Sequence, residues 1–399
     1  MKLRHLIISL LIVGAFILLG ELVFGAVERW ELTAGGDGLD EVSAVGVKPD
    51  GAFVIAGSFS AELDLGDQLL RTSSGPTAFA AEIMPDGDVT WATAIAGRVP
   101  SVATSLAVDP SGRAYVALSR QDGSAAVLAL SQDGSVSWTA VVGQRADVGG
   151  IAVAPDGTLW IAGSETLDDH VAGFVARLDP GGDRIAHHRF ARAQYFDVAA
   201  IDASGDGDLY VTGSFVGTLR GDAGARRSSG VTDVFVARLS PEGDVTWLET
   251  FGGPGVDGAR ALPRRGENLW LAGSFSDAVD FGPVSALAVG RTDGFLARIT
   301  TRGGVIDLLA IGDAGTDGIR ALAASRRDDV VALVDLGGRS EVVGYRNGAA
   351  AWTHTLETAR DRLAVRGLAT TRDDMVVVTG AIARDDTLDA HVRAFPATR

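Results

Sequence analysis

The sequence contains no cysteine. Disulfide bonds, thiolate metal sites, cysteine nucleophiles and a lipidated N-terminal cysteine are therefore all excluded. The lack of cysteine does not define the compartment, because a chain of 399 residues buries a large core without needing a disulfide.

Basic residues are scarce relative to acidic ones. Lys and Arg together number 35 against 51 Asp and Glu, which gives a net charge of −16 and a pI near 4.8. A surface of this sign repels a phosphate backbone, so we expect no nucleic-acid partner. Apolar residues make up 46% of the chain and aromatic residues 7%, which excludes a disordered polypeptide. The 52 glycines indicate many turns.

The first 26 residues have the pattern of an export signal. Lys2 and Arg4 precede an apolar run over residues 6–20, and Glu21 interrupts it before residues 22–27 continue it. A charged segment followed by an apolar run is typical of chains that leave the cytoplasm. We therefore expect an exported body that is periplasmic, cell-surface or secreted.

Two interpretations of this segment compete. Cleavage after Gly25 would leave Val23 and Gly25 at the recognition positions, although an A-x-A pattern is missing. Alternatively, residues 6–26 are just long enough to span a bilayer as an uncleaved anchor. The absence of a linker before the first strand favours cleavage. The predicted division is a signal peptide or membrane anchor at 1–26 and a folded domain at 27–399.

Beyond residue 27 the chain is a series of repeats, marked by a turn followed by tryptophan. The sequence G-D-V-T-W ends at Trp91 and at Trp247, and the series as a whole occupies positions Trp30, Trp91, Trp138, Ala186, Trp247, Leu308 and Trp352. Two weaker copies thus place Ala and Leu where the others have Trp. The steps between these positions are 61, 47, 48, 61, 61 and 44 residues, which defines seven units.

Each unit before the last contains four short apolar or alternating runs separated by Gly, Asp or Pro, which predicts four β-strands joined by turns. The first run has small residues, the second ends in Gly-Ser in four units, and the fourth contains the Trp position. Four-stranded units with this period predict an all-β fold, a seven-bladed β-propeller of antiparallel blades.

The ends of the repeat series predict how the ring closes. The last unit has three runs, near residues 363–369, 375–378 and 392–395, while an additional Trp strand at 28–34 precedes the first unit. We expect the N-terminal strand to lie beside residues 392–395 and complete the last blade, since closure hides exposed strand edges.

Three units are longer than the rest, mainly between their second and third strands. The additional residues are 60–77, 216–232 and 276–292, in units one, four and five. Long loops on a rigid frame commonly carry recognition, and these three are expected on one face.

The repeats resemble a known family. The segments F-G-G-P-G-V-D-G at 251–258, L-A-G-S-F at 271–275, D-F-G at 280–282 and T-D-G-F-L-A-R-I at 292–299 are similar to the SBBP-type β-propeller repeat of bacterial exported and cell-surface proteins. The resemblance covers about residues 28–399 and is strongest in the units that start at Trp30 and Trp247. It implies a fold and a location more than an activity. The units from Trp91, Leu308 and Trp352 depart from the pattern, because they lack the Gly-Ser pair.

A recurring acid is the sharpest candidate site. It stands nine to eleven residues after the Trp position in six units, at Asp40, Asp147, Asp197, Asp257, Asp317 and Asp361. In a propeller these carboxylates are predicted around one mouth of the central channel, where crowded charges raise one another's pKa or recruit a cation such as calcium. The alternative is that each Asp binds backbone N–H groups of its own turn. No other cofactor is indicated.

Three functional interpretations follow. The first is a non-catalytic scaffold with a monomeric body that binds a protein or glycan at the cell envelope through the long loops. The second is a structural component of an envelope assembly. The third is a quinoprotein-like propeller enzyme, which the count of seven units and the lack of vicinal cysteines disfavour. A fold alone does not assign function, so the first rests on the loops.

Overall fold

Seven antiparallel sheets form the protein in a computed structural model that describes residues 30–36, 38–73, 75–221, 224–356, 362–384 and 387–397. The first strands of consecutive blades contact each other, and the first strand of blade 7 contacts that of blade 1, so the seven sheets surround a common axis. The predicted seven-bladed propeller is confirmed. The export or anchor segment at 1–26 lies outside the described residues.

The blades share one strand order, from the axis outward. Blades 1 to 4 are Glu41–Val47, Phe53–Phe59, Thr77–Ile83 and Val89–Ile95; Ser101–Val108, Ala114–Arg120, Ser124–Leu130 and Val136–Gln144; Ala146–Val153, Leu159–Thr166, Val171–Leu178 and Arg184–Ala193; and Tyr195–Ala203, Leu209–Val216, Asp233–Leu239 and Val245–Phe251. Blades 5 to 7 are Gly258–Ala261, Asn268–Phe275, Asp293–Thr300 and Val305–Ile311; Asp317–Ala324, Val330–Leu336, Arg339–Arg346 and Ala349–Leu356; and Arg362–Thr370, Met375–Arg384, Thr387–Pro396 and Trp30–Ala34. A short strand, Arg264–Arg265, also pairs with the second strand of blade 5.

The N-terminal strand closes the ring as predicted. Trp30–Ala34 pairs antiparallel with Thr387–Pro396, and Leu32 lies opposite Val392. Blade 7 therefore combines three C-terminal strands with one N-terminal strand. The outer edge of the last sheet is covered by a segment from the other end of the sequence.

The tryptophan signature has a packing explanation. The ring of Trp91, in blade 1, lies against Gly134 in the turn of blade 2, where an added Cβ would be 2.4 Å from the indole. Gly134 also has a positive φ of 80°, which an L side chain rarely adopts. The same arrangement joins Trp138 to Gly182. Four of the five tryptophans in outer strands pack over the turn glycine of the next blade, which explains why the turn glycine and the Trp recur together. The exception is Trp352, which lies against Gly344 of its own blade.

The Gly-Ser pair at the end of the second strand also reflects close packing. A Cβ at Gly213 would lie 1.8 Å from the carbonyl oxygen of Asp197 in the first strand. Only glycine allows the backbones to approach this closely. The remaining space between blades is filled by buried apolar side chains, such as Phe196, Phe215 and Phe235 between blades 3 and 4.

The three long loops fold into two-stranded hairpins. These are Glu62–Asp64 with Leu69–Arg71, Thr218–Gly221 with Gly224–Arg227, and Ala278–Asp280 with Ser285–Leu287. Each hairpin follows a second strand, whose end lies beside the start of a first strand, as Ser58 lies opposite Glu41. We call the end of the ring where the first strands begin the upper face. All three hairpins lie there.

Candidate functional site

The predicted acidic residues that the structure describes all lie on the upper face, but in two different environments. Asp40 and Asp257 lie just before first strands and Asp317 begins one, and all three are buried; Asp147 and Asp197 lie inside first strands and are not fully buried. Asp361 falls outside the described residues.

Asp40 joins two loops at blade 1. Its carboxylate accepts hydrogen bonds from the backbone N–H of Gly36 (3.1 Å) and of Ser60 (3.0 Å), which follows the second strand. Burial raises the pKa of Asp40 to about 6, although both N–H groups lower it. Gly36 belongs to the same turn as Asp40, whereas Ser60 belongs to another loop, so the carboxylate binds backbone N–H groups beyond its own turn.

Asp317 and Asp257 take the same position in blades 6 and 5. The carboxylate of Asp317 accepts hydrogen bonds from the N–H of Asp313 (2.6 Å) and Gly337 (2.7 Å). Asp257 Oδ2 accepts one from Gly253 (2.7 Å), and Oδ1 has no hydrogen-bond partner in the part of the chain that the structure describes. Burial raises the pKa of Asp257 to about 7.

Asp147 and Asp197 interact with neighbouring blades instead. Asp147 is exposed and accepts a hydrogen bond from Ser119 Oγ of blade 2 at 2.8 Å. Burial raises the pKa of Asp197, the guanidinium of Arg260 in blade 5 lowers it, and Asp147 raises it. These two acids are therefore electrostatic neighbours at the mouth of the channel.

A metal centre does not emerge from these positions. Among the residues with described coordinates, no three His, Asp or Glu side chains lie close enough together to hold a metal ion. The calcium ring stays a prediction, because one of its six members is not described.

Every first strand contains a β-bulge at the same register position, and the sequence analysis missed this feature. The unpaired residues are Ser43, Thr104, Gly149, Ala199, Arg260, Arg320 and Arg366, from blade 1 to blade 7. Bulges commonly redirect a side chain next to a site. Here they place arginine in three consecutive blades, 5 to 7.

Two of these arginines form ion pairs at the mouth. Arg366 Nε lies 2.7 Å from Glu41 Oε1 of blade 1, and Arg320 Nε lies 2.7 Å from Asp335 Oδ2 of its own blade. Both side chains are about half exposed, at 55% and 49%. The mouth is thus acidic at blades 1, 3 and 4 and basic at blades 5 to 7. The repeated D-G-A-R-A-L at 257–262 and D-G-I-R-A-L at 317–322 were the available signal for two of the arginines.

Two further acids fix the long loops of blades 4 and 5. Asp233 accepts hydrogen bonds from the N–H of Ser229 (2.9 Å) and Gly230 (3.4 Å), and burial raises its pKa. Asp293 accepts the equivalent pair in blade 5. Their sequence signal is the Thr-Asp that precedes each third strand, at 232–233 and 292–293.

Adjacent loops are also bonded to each other. Thr232 Oγ1 donates to the carbonyl oxygen of Asp257 at 3.0 Å, and the N–H of Asp257 donates to the carbonyl oxygen of Thr232 at 3.0 Å. Thr292 and Asp317 repeat these two bonds between blades 5 and 6. The upper loops of blades 4 to 6 are therefore held as one bonded series.

These fixed loops expose aliphatic side chains. The exposed fractions are 75% for Leu287, 74% for Val289, 58% for Val231 and 51% for Val256. All four lie on the upper face of blades 4 and 5, and Leu287 also lines a cavity of about 440 Å³ beside the blade 5 hairpin. A group of exposed apolar side chains on an ordered surface is typical of an interaction site.

Comparison with protein-family models and with curated proteins gives no match. Solved structures do match. Virginiamycin B lyase from Staphylococcus aureus aligns with a TM-score of 0.55 and 12% identity, over 92% of this chain and 99% of that one. The β-propeller domain of Cps50 (Swd1) from Myceliophteria thermophila aligns with a TM-score of 0.51 and 12% identity, over 90% and 98% of the two chains.

A streptogramin B lyase structure aligns with a TM-score of 0.53 and 11% identity, over 92% of this chain and 98% of that one. The chain is a β-propeller. At these identities the likeness concerns the fold, and the neighbours include both lyases and a propeller domain that is not described as an enzyme. Within the described ranges, no helix is long and apolar enough to cross a membrane.

Proposed function

We propose that this β-propeller is a non-catalytic scaffold that binds a protein partner through the upper face of blades 4 and 5, outside the cytoplasm. The observation that carries the proposal is the group of four exposed aliphatic side chains, Val231, Val256, Leu287 and Val289, on loops that are bonded to one another. Exposed apolar groups on ordered loops lose little conformational entropy when a partner covers them.

The chemistry of these side chains favours a protein over a glycan. Sugar rings stack on exposed aromatic side chains, but four of the five tryptophans of the outer strands pack on the next blade, and Trp352 is buried against its own blade. Trp30 Nε1 donates to the carbonyl oxygen of Pro85 (2.8 Å) and Trp247 Nε1 to that of Thr301 (3.1 Å). The most exposed apolar side chains of the upper face, Leu287 and Val289, are aliphatic, which suits apolar side chains of another protein. Tyr195 is exposed there to a smaller fraction, 48%.

The non-catalytic assignment rests on the mouth of the channel. Two of its three arginines are paired with carboxylates, Arg366 with Glu41 and Arg320 with Asp335. The third, Arg260, is an electrostatic neighbour of Asp197. Such pairs stabilise contacts between strands and blades. The location outside the cytoplasm rests on the charged and apolar segment at 2–20 and on the resemblance to SBBP-type repeats. N-terminal sequencing of the purified protein tests it: cleavage after Gly25 or an intact anchor supports export, and an intact soluble chain in the cytoplasm contradicts it.

The binding proposal is tested with matched variants of one blade. The variant Leu287→Ser/Val289→Ser removes the two most exposed aliphatic side chains of the upper face. The control Ile306→Ser removes an aliphatic side chain that is 42% exposed at the opposite end of blade 5. Immobilised domain, residues 27–399, is incubated with envelope extract, and the recovered proteins are quantified against the bait.

We expect wild type and the Ile306→Ser control to recover one protein at a constant ratio to the bait, and the double variant to recover less than about a tenth of it, since apolar contacts dominate the centre of such interfaces. Equal recovery by all three proteins would show that the upper face is not the site. A glycan array signal that the double variant abolishes would replace the protein partner with a glycan.

A further inference from the structure

A cleft lies at the outer edge of blade 3, and none of the four exposed aliphatic side chains lines it. The hairpin strand Thr218–Gly221 of blade 4 pairs with the outer strand of blade 3, with Ala191 opposite Gly221 and Arg192 opposite Arg220. The cavity beside this junction has a volume of about 490 Å³. It is the size of a small-molecule site.

The pairing of Arg192 with Arg220 is unfavourable as it stands. Residues directly opposite in an antiparallel pair project to the same side, and like charges in these positions repel each other. Both side chains line the cavity and are exposed. In the described part of the chain, neither guanidinium has a hydrogen bond or ion pair. The hairpin nevertheless docks with these two charges face to face.

A β-bulge adds a third cation to the cavity. The register of the outer strand shifts at Phe190, so that Arg189 lies opposite Phe174 and Arg192 lies opposite Ala172. Because Phe174 and Ala172 are two residues apart, Arg189 and Arg192 project to the same side. Arg189 is already paired with Glu165.

The remaining lining combines one more basic group with an apolar floor. His170 borders the cavity, and its Nδ1 is hydrogen-bonded to Asp169. This bond is the main cause of the lowered pKa of Asp169, to which Arg192 adds a smaller effect. Leu167, Ala172 and Phe190 supply apolar surface. Within the described residues, the cleft therefore has two guanidinium groups without a hydrogen bond or ion pair, beside a surface that accommodates an organic group, and Asp169 is an electrostatic neighbour of Arg192.

This edge carries several arginines although the whole protein is acidic. The chain has a net charge of −16, yet Arg226 and Arg227 lie on the second strand of the same hairpin, opposite Leu219 and Thr218. A cluster of basic side chains on an otherwise acidic protein raises the local concentration of anions.

We propose that the cleft between blade 3 and the blade 4 hairpin binds a phosphate group, with Arg192 and Arg220 as its two ligands. A phosphate dianion matches the two unpaired guanidinium charges and has oxygens for the forked N–H donors of both arginines. Its binding converts the repulsion between the opposed strands into a bridge. The apolar floor accommodates the organic part of a phosphate monoester.

The test is calorimetric titration of the domain with inorganic phosphate and, separately, with phenyl phosphate, at roughly 20 mM salt where screening is weak. The variants are Arg192→Gln and Arg220→Gln. The matched control is Arg226→Gln, on the same hairpin but outside the cavity lining. We expect each cavity variant to weaken both anions by about tenfold or more, and the control to change affinity less than about twofold.

The two anions distinguish the source of the phosphate. Tighter binding of phenyl phosphate indicates an organic monoester on the apolar floor, and equal affinity indicates free phosphate. No binding by wild type, or an equal loss in the Arg226→Gln control, overturns the proposal.

Thermal melting gives a second measurement that does not require a binding constant. Phosphate should raise the melting temperature of wild type, because a ligand of the folded state stabilises it. Arg220→Gln should melt no lower than wild type in phosphate-free buffer and should lose the phosphate response. Arg192→Gln, on the other strand of the pair, should give the same two results. A phosphate response that survives in both variants contradicts the assignment.

Discussion

Replacing Asp257 with asparagine should make the protein more stable at alkaline pH. The Asp257 side chain is fully buried and accepts one hydrogen bond, from Gly253, while its Oδ1 has no hydrogen-bond partner within the described ranges. Burial, followed by the charge of Asp233, raises the pKa of Asp257 to about 7. The N–H of Ser276 lies near the carboxylate and lowers this pKa, but its hydrogen bond goes to the carbonyl oxygen of Val256. The ionised form of this side chain is therefore costly in the folded state.

The magnitude follows from the difference between the two pKa values. The folded value of about 7 lies above the ordinary value of 3.8, so the native state binds the proton more tightly than the unfolded chain does. The contribution of Asp257 to stability is thus complete below about pH 4 and is lost as pH rises through 7. Three pKa units correspond to about 4 kcal/mol, of which about 3 kcal/mol is lost between pH 4.5 and 8.5.

The assay is urea unfolding followed by tryptophan fluorescence, for wild type and Asp257→Asn at pH 4.5 and 8.5. Between pH 4.5 and 8.5, the unfolding free energy of Asp257→Asn should rise by about 3 kcal/mol relative to that of wild type. Asp317→Asn is the matched control, because both oxygens of Asp317 accept N–H groups and an amide leaves one without an acceptor. It should lose about 1–3 kcal/mol at pH 7. A constant loss of that size in Asp257→Asn would refute the burial argument.

Two further substitutions test the packing and the ring closure. Gly134→Ala should lower the free energy of unfolding by about 3 kcal/mol and Gly66→Ala by about 1 kcal/mol. Both glycines have a φ of 80°, but only a Cβ at Gly134 would meet a neighbour, the ring of Trp91. Equal melting temperatures of the two variants would contradict the packing explanation of the Trp repeat. His391 is 1% exposed in blade 7, next to Thr33, and its burial lowers the pKa, so stability should be lost as pH falls below the ordinary value of 6.5. His391→Gln should abolish the acid-induced rise in hydrogen exchange of strand Trp30–Ala34, and an unchanged rise in the variant would exclude His391 as its source.

The repeat architecture was predictable because its signals are local. The turn glycine and the Trp lie within five residues of each other in G-D-V-T-W, and four of the tryptophans face the same kind of neighbour, as Trp91 faces Gly134. The closing strand followed from counting, since three strands at one end and one at the other leave a single way to complete four. Both arguments need no knowledge of register.

The candidate site was less predictable because its geometry depends on pairs of strands. Asp40 and Asp147 hold similar places in the sequence, yet one is buried against the N–H of Ser60 and the other is exposed. The difference comes from the loop after the second strand, which the position of the acid does not reveal. The bulge at Arg260 is likewise defined by its pairing with the second strand. Opposed Arg192 and Arg220 violate the usual rule for cross-strand charges, so no pattern rule anticipates their contact.

The joining of Trp30–Ala34 to Thr387–Pro396 has a kinetic consequence. During synthesis the N-terminal segment emerges hundreds of residues before its partner strand. Its backbone N–H and C=O groups therefore lack their native partners until translation is nearly finished. Contacts this distant in sequence form late, because a very long loop must be ordered to make them. Folding of the ring therefore ends with one slow step, the pairing of the N-terminal strand with the C-terminal strand. Until that event both ends of the polypeptide are open to pairing with another chain, and a chaperone that shields the early segment would raise the yield of complete rings.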